Sequence, residues 1–225
     1  MQNDLNEYLN EFITENKYKK IQSISQMRTR YMSVLLEDIF QPHNASAVVR
    51  SCECFGIQDL HIIENKNKYK LNPDVVLGSS KWVNMKQYNT PNTNNTEVAM
   101  SKLKSQGYRI IATTPHTEKE LDDIDVTQGK FVLMFGTEAD GLTDYALEHA
   151  DERVKIPMYG FTESFNISVS AALCMNFLGT KVRKSGVHWK LSDDELAELR
   201  LDWTKKCLKN SDALIENFYK QRNSK

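Results

Sequence analysis

The chain has 225 residues, 29 basic and 30 acidic, long enough for one substantial α/β core with added helices; its net charge of -1 does not by itself mark a nucleic-acid binder. No apolar run approaches the ~20 residues of a membrane span, and the start, MQNDLNEYLN, lacks the basic-then-apolar order of a secretory signal, so a cytoplasmic protein is expected. Of four cysteines only Cys52 and Cys54 lie close together, which offers no metal-ligand spacing, and no metal is expected.

In chain order, Leu5, Tyr8, Leu9, Phe12 and Ile13 recur at helical spacing and predict an amphipathic N-terminal helix. An acid-free basic stretch follows, in which Lys17, Lys19, Lys20, Arg28 and Arg30 are candidate RNA phosphate contacts. A second acid-free stretch carries Lys181, Arg183, Lys184 and Lys190 beside Trp189; either cluster also reads as a solvated helix face. MSVLLEDI, starting at Met32, is an apolar run of strand length, and further strands are expected at Asp59–Glu64, Val83–Asn89, Tyr108–Thr114, Phe131–Thr137 and Arg153–Met158. Asn44–Phe55, Thr96–Gln106 and Thr143–Ala150 suit crossover helices, so the alternation predicts an α/β fold with a mostly parallel sheet and covering helices. Near the end, Ser192 and Glu195 have capping-box spacing ahead of Leu196, Leu199 and Trp203, and Ser211 starts a further helix with Leu214, Ile215 and Phe218 inside.

Three segments carry chemistry. In Gln41–Gly56, Pro42 and Asn44 fit a helix entry, with Ala47, Ser51, Cys54 and Phe55 expected on the inner face and Arg50 toward its edge. Arg50 either pairs with Glu53 or reaches water, or grips a phosphate or a reacting hydroxyl. In Phe131–Thr143 a strand runs into Gly136 and Glu138, then a turn at Asp140 and Gly141. Ligands of open α/β sheets sit beyond such strand ends, and a glycine admits close approach to the backbone. No G-x-G-x-x-G is present, so the dinucleotide fingerprint is missing. In Ile156–Met175 a turn at Met158, Tyr159 and Gly160 leads to Ser164, Asn166 and Ser168, just where an apolar helix begins. Val169, Ala171, Ala172, Leu173, Met175, Phe177 and Leu178 suggest a helix buried almost all round. Polar side chains at such a helix start satisfy free N–H groups, which can also hold a ligand oxygen. Three such loops in one parallel-sheet chain suggest a shared site.

From about Met32 to Lys190 the chain resembles the SpoU-type RNA ribose 2′-O-methyltransferases of the SPOUT superfamily, and most of all the TrmH subfamily of tRNA (guanosine-2′-O)-methyltransferases. The family's first motif falls on Asn44 and Arg50, its second on Gly136, Glu138 and Gly141, and its third on Ile156 through Val169. GSSKWV from Gly78 to Val83, and PHN from Pro42 to Asn44, are similar to segments of the tRNA enzymes. The resemblance implies a parallel sheet whose C-terminal part forms a deep trefoil knot. It also implies a homodimer whose two protomers complete a site for S-adenosyl-methionine. The organisation expected is a helical, basic extension over 1–30, a methyltransferase domain over 31–190 and a helical extension over 191–225. Cofactor contacts would fall on Thr113, Gly136, Ile156 and Phe165, the last in place of the family's usual leucine. Catalytic work would fall on Arg50, orienting the ribose hydroxyl, with Asn44 and Glu138 ordering the loops and Ser164 and Asn166 shaping the pocket. The implied substrate is tRNA at guanosine 18 of the D-loop. Ribosomal RNA, the tRNA wobble ribose, and a knotted RNA-binding protein without catalysis are the alternatives.

Overall fold

A computed structural model describes residues 2–223, which divide into two compact units, Thr29–Trp189 and the paired terminal segments 2–28 and 190–223. The strand runs owe their pairing to what covers them. All six residues of β1 (Met32–Glu37) are buried, as a parallel strand sandwiched between helix layers requires. Val34 and Leu36 lie in one core with Val48 and Met175, and Leu35 lies in the other with Ala99 and Leu103, so successive side chains serve opposite faces. From β1 the chain passes through α3 (Pro42–Cys54), β2 (Asp59–Ile63), the short α4 (Pro73–Val76), β3 (Asn84–Tyr88), α5 (Asn95–Ser105), β4 (Arg109–Thr113), β5 (Phe131–Phe135), α6 (Asp144–His149) and β6 (Glu152–Val154), and closes with α7 (Ile167–Lys184). Among the described residues the sheet has six strands, all parallel, in the order β3-β2-β1-β5-β4-β6.

Two helix faces differ from their sequence-based expectation. The inner face of α3 is Ala45, Val48, Val49 and Cys52, while Cys54 is exposed and Ala47 and Ser51 are only half-buried. The β-branched pair Val48 and Val49 decides this, because burying both turns Arg50 to the exposed side instead of the edge. Helix α7 is not buried all round: Ile167, Ala171, Cys174, Met175 and Leu178 face the core, whereas Val169, Leu173 and Phe177, at i, i+4 and i+8, are 43, 40 and 41 % exposed. Strand β6 is shorter than expected because it pairs only with β4, over three residues, before the chain leaves the sheet.

In the terminal unit, α1 and α2 before β1 are Gln2–Asn10 and Glu15–Ser25, and α8 and α9 after α7 are Asp193–Cys207 and Ser211–Asn223. Ser192 and Glu195 form the expected capping box, and Leu196, Leu199 and Trp203 are buried. Leu5, Leu9 and Leu201 form a small core that Leu214, Ile215 and Phe218 cover. The terminal segments, distinct in the sequence, thus share one interior.

Candidate active site

The site is built on strand ends. Beyond β5, Thr137 and Gly141 exchange backbone hydrogen bonds at 3.0 and 3.1 Å, which folds the loop back on itself. Gly141 has φ +71°, the left-handed region that favours glycine. A Cβ on Gly136 would collide with the Gly141 backbone, so a side chain there must move the loop. Glu37, buried at the end of β1, holds the far end of this loop: its carboxylate accepts from Thr143 N and Thr143 Oγ1, each at 2.9 Å, and from Thr96 Oγ1. Thr143 in turn caps α6 by accepting from Ala146 N.

The three sequence segments meet at Glu138. Asn44 Nδ2 donates to Glu138 Oε1, Asn166 Nδ2 donates to the same oxygen at 3.0 Å, and Asn166 Nδ2 also donates to Asn44 Oδ1 at 3.1 Å. Asn166 is the N-cap of α7 as well, its Oδ1 accepting from Ser168 N at 2.9 Å and Ser168 Oγ at 2.6 Å. One amide therefore donates with its nitrogen and caps with its oxygen, a combination a carboxylate cannot supply.

Beyond the ends of β4, β5 and β6 lies a cavity of about 370 Å³. Its lining includes Thr113, Gly136, Glu138, Ile156, Ser164 and Phe165, so the four expected cofactor contacts share one cavity with two expected catalytic residues. Thr113 Oγ1 is committed to Met134 O at 2.9 Å. The lining combines apolar Ile156 and Phe165 with the carboxylates of Glu138, Asp140 and Glu163, a set suited to a flat ring joined to a positive centre. Among the described residues no group of three or more His, Cys, Asp or Glu could hold a metal ion.

The SpoU rRNA Methylase family model matches residues 31–176. The chain belongs to this family. It is 44 % identical over 211 residues to the tRNA (guanosine(18)-2′-O)-methyltransferase of Borreliella burgdorferi, covering 93 % of this chain and 94 % of that one. The enzyme of the same name from Thermus thermophilus is 30 % identical over 196 residues, covering 86 and 98 %. Among solved structures, the A. aeolicus TrmH/SpoU tRNA modifying enzyme superimposes with a TM-score of 0.75 at 26 % identity, covering 85 % of this chain and 96 % of that one.

Within this SpoU chain the cations are scattered. Arg50 is exposed on α3 and lines no wall of the cavity. Lys17 and Lys20 are exposed on α2, and Lys19 pairs with Glu15 at 2.6 Å. Arg30 pairs with Asp59 at 3.1 Å. Arg28 is not a phosphate contact: it is 1 % exposed, its guanidinium 5.6 Å from the Trp203 ring centre, because an aromatic face in the terminal core takes the cation. Arg183 is likewise structural, donating to Phe55 O at 2.8 Å under the Trp189 ring, and burial lowers its pKa. Glu37 carries no motif position; its signal in the chain is that of an acid closing an otherwise apolar strand.

Proposed function

We propose that this protein transfers a methyl group from S-adenosyl-methionine to the ribose 2′-oxygen of guanosine 18 in tRNA. The observation that carries the reading is the mutual hydrogen bonding of Asn44, Glu138 and Asn166, one from each motif, with Glu138 itself lining the strand-end cavity. The relatives' names supply the substrate. The cofactor supplies a methyl made electrophilic by its sulfonium. Gly136, whose missing side chain makes room for the Gly141 backbone that shapes the loop, would present its backbone to the cofactor, with Ile156 and Phe165 against the ring and the carboxylates of the lining matching the positive charge. In-line displacement demands a held geometry, so the hydrogen bonds that immobilise the loops contribute to rate through positioning. A ribose hydroxyl becomes a nucleophile only as its proton is shared. Arg50 orients that hydroxyl, and its guanidinium offsets the developing charge.

The homodimer belongs to the same reading. The apolar stripe Val169, Leu173 and Phe177 offers a face for a second copy, and Arg50, exposed and outside its own chain's cavity lining, is free of that cavity and would complete the partner's site. The deep trefoil knot is proposed for the C-terminal part of the sheet unit, supported by the likeness to the TrmH/SpoU structure. So are a methyltransferase domain over 31–190, flanking extensions that hold the tRNA body through Lys17, Lys19 and Lys20, and a cytoplasmic location.

The test is transfer of labelled methyl to unmodified tRNA, with the modified nucleotide mapped by mass spectrometry. Arg50→Ala is expected to nearly abolish transfer while cofactor binding, followed by calorimetry, persists. Full activity in that variant would remove Arg50 from the mechanism.

A further inference from the structure

The sheet reverses its order between β1 and β5: β2 and β3 lie to one side, β4 and β6 to the other. Open α/β sheets take ligands at such a switch point. There the structure has a second cavity, of about 440 Å³, lined by Ile39, Phe40 and Gln41 beyond β1, by Asn67, and by the stretch from Thr137 to Asp140 beyond β5. That stretch is also a wall of the first cavity, so the two spaces abut across the loop bearing Glu138.

The polar groups of this second cavity have fixed identities. A carboxylate only accepts, so the amide nitrogens of Asn44 and Asn166 are the atoms facing Glu138. Asn44 Nδ2 also donates to Gln41 Oε1 at 3.1 Å, which makes that atom an oxygen and leaves Gln41 Nε2 as a donor. On the other side, Asn67 Nδ2 donates to the Asp38 carbonyl at 2.8 Å, which leaves Asn67 Oδ1 as an acceptor. The segment bearing Asn67 is anchored: the buried Asp38, at φ +53°, accepts with Oδ1 from the backbone N–H groups of Asn65, Lys66 and Asn67 at 2.7, 2.8 and 3.2 Å. A non-glycine residue in that backbone region is strained, and this set of bonds offsets the strain. Phe40 is 73 % exposed, an aromatic face with little packing of its own.

We propose that this second cavity seats the base of the nucleotide whose ribose is methylated, with Phe40 as its stacking platform and Gln41 and Asn67 reading its edge. A donor and an acceptor are the complement of guanine's O6 and its N1–H or N2–H, while the cavity's shared wall keeps the attached ribose beside Glu138. The naming of guanine rests on the tRNA guanosine reading above; the seat itself rests on the cavity.

Two measurements on the full chain separate these. In the first, Phe40→Ala is expected to lower kcat/KM for tRNA about tenfold or more, mostly through KM, as loss of a stacked base does. Phe40→Trp should restore it, and cofactor affinity should not change in either variant. Gln41→Glu keeps an oxygen for Asn44 but sets a carboxylate where the donor was, and is expected to lower kcat/KM at least as far. In the second, saturation-transfer NMR with guanosine 5′-monophosphate should show the H8 proton in contact with the wild-type protein and not with Phe40→Ala. Wild-type kcat/KM in both Phe40→Ala and Gln41→Glu, or a nucleotide signal indifferent to Phe40, overturns the proposal. Absence of tRNA methylation by the wild-type protein would overturn the functional reading instead, and the nucleotide signal would still decide the seat.

Discussion

At the carboxyl end of the sheet and in the terminal helical unit, polar residues are treated in opposite ways. At the sheet end, Asn44, Glu138 and Asn166 are bonded to one another across three chain segments, and Glu37 gathers donors from Thr96 and Thr143. In the terminal unit, Lys17 and Lys20 stand exposed, while Arg28 is drawn into the interior over Trp203. A polar residue's role follows from how many distant segments supply its partners. Charge alone does not reveal it, since Arg28 and Lys20 look alike in the chain and do opposite things.

The largest test of the contrast is Gly136→Ala. A methyl there displaces the Thr137–Gly141 loop, and transfer is expected to fall about 100-fold or more, because misplacement by ~1 Å already has that effect. Wild-type kinetics in this variant would show that the loop's shape is not what the site requires.

Asn166→Asp comes next. It removes the donor to Glu138 and places a second carboxylate beside it, and loss of a charged hydrogen bond of ~1.5–3 kcal/mol predicts transfer reduced about 10- to 100-fold. Asn166→Ser, which keeps a cap for α7, should separate the capping part from the Glu138 part.

A pH series probes another interior polar group of the sheet unit. His61 is buried with Nδ1 3.2 Å from Tyr88 Oη, and burial, with the Lys86 charge second, lowers its pKa from 6.5 to about 4. The unfolded chain therefore takes up the proton first as pH falls. The stability from neutral His61 is whole above about pH 6.5 and lost between there and about pH 4, by about 3 kcal/mol in total. Urea unfolding at pH 7 and near pH 4 should show a smaller difference for His61→Gln than for the wild-type protein; an equal difference would assign the acid sensitivity elsewhere.

In the terminal unit the expected effects are smaller and split by burial. Arg28→Ala should lower stability by about 2 kcal/mol, seen as a lower Tm, with no change in the salt dependence of tRNA binding. Lys17→Ala and Lys20→Ala should do the reverse, leaving Tm within a degree or so and lowering the salt slope by about one for each phosphate no longer neutralised. A reduced salt slope for Arg28→Ala would break the comparison.

Much of the fold was legible in the chain. The apolar runs around Val34, Ile62, Ile111 and Leu133 became strands, and the helices between them fell within a residue or two of their expected bounds. The helix faces were less legible: in α3 the polar residues Asn44 and Ser46 are buried beside Val48 and Val49, which blurs the apolar period that a helical reading depends on. At the site, Gly136, Thr113, Ile156 and Phe165 share a cavity as the family resemblance implies, whereas Glu37, Gln41 and Asn67 belong to no recognisable spacing.

Alternation of apolar runs with turn residues, the Ser192–Glu195 cap and the three motif segments are all properties of neighbours in the chain, and they are readable from it alone. That Asn44 meets Glu138 across 94 positions and Asn166 across 122, that Arg28 goes inside and that Arg50 stays outside, are results of packing in three dimensions. Hydrogen-bond and cation–π partners are chosen by the proximity of segments the sheet brings together or the helices pack, and no local periodicity records that proximity.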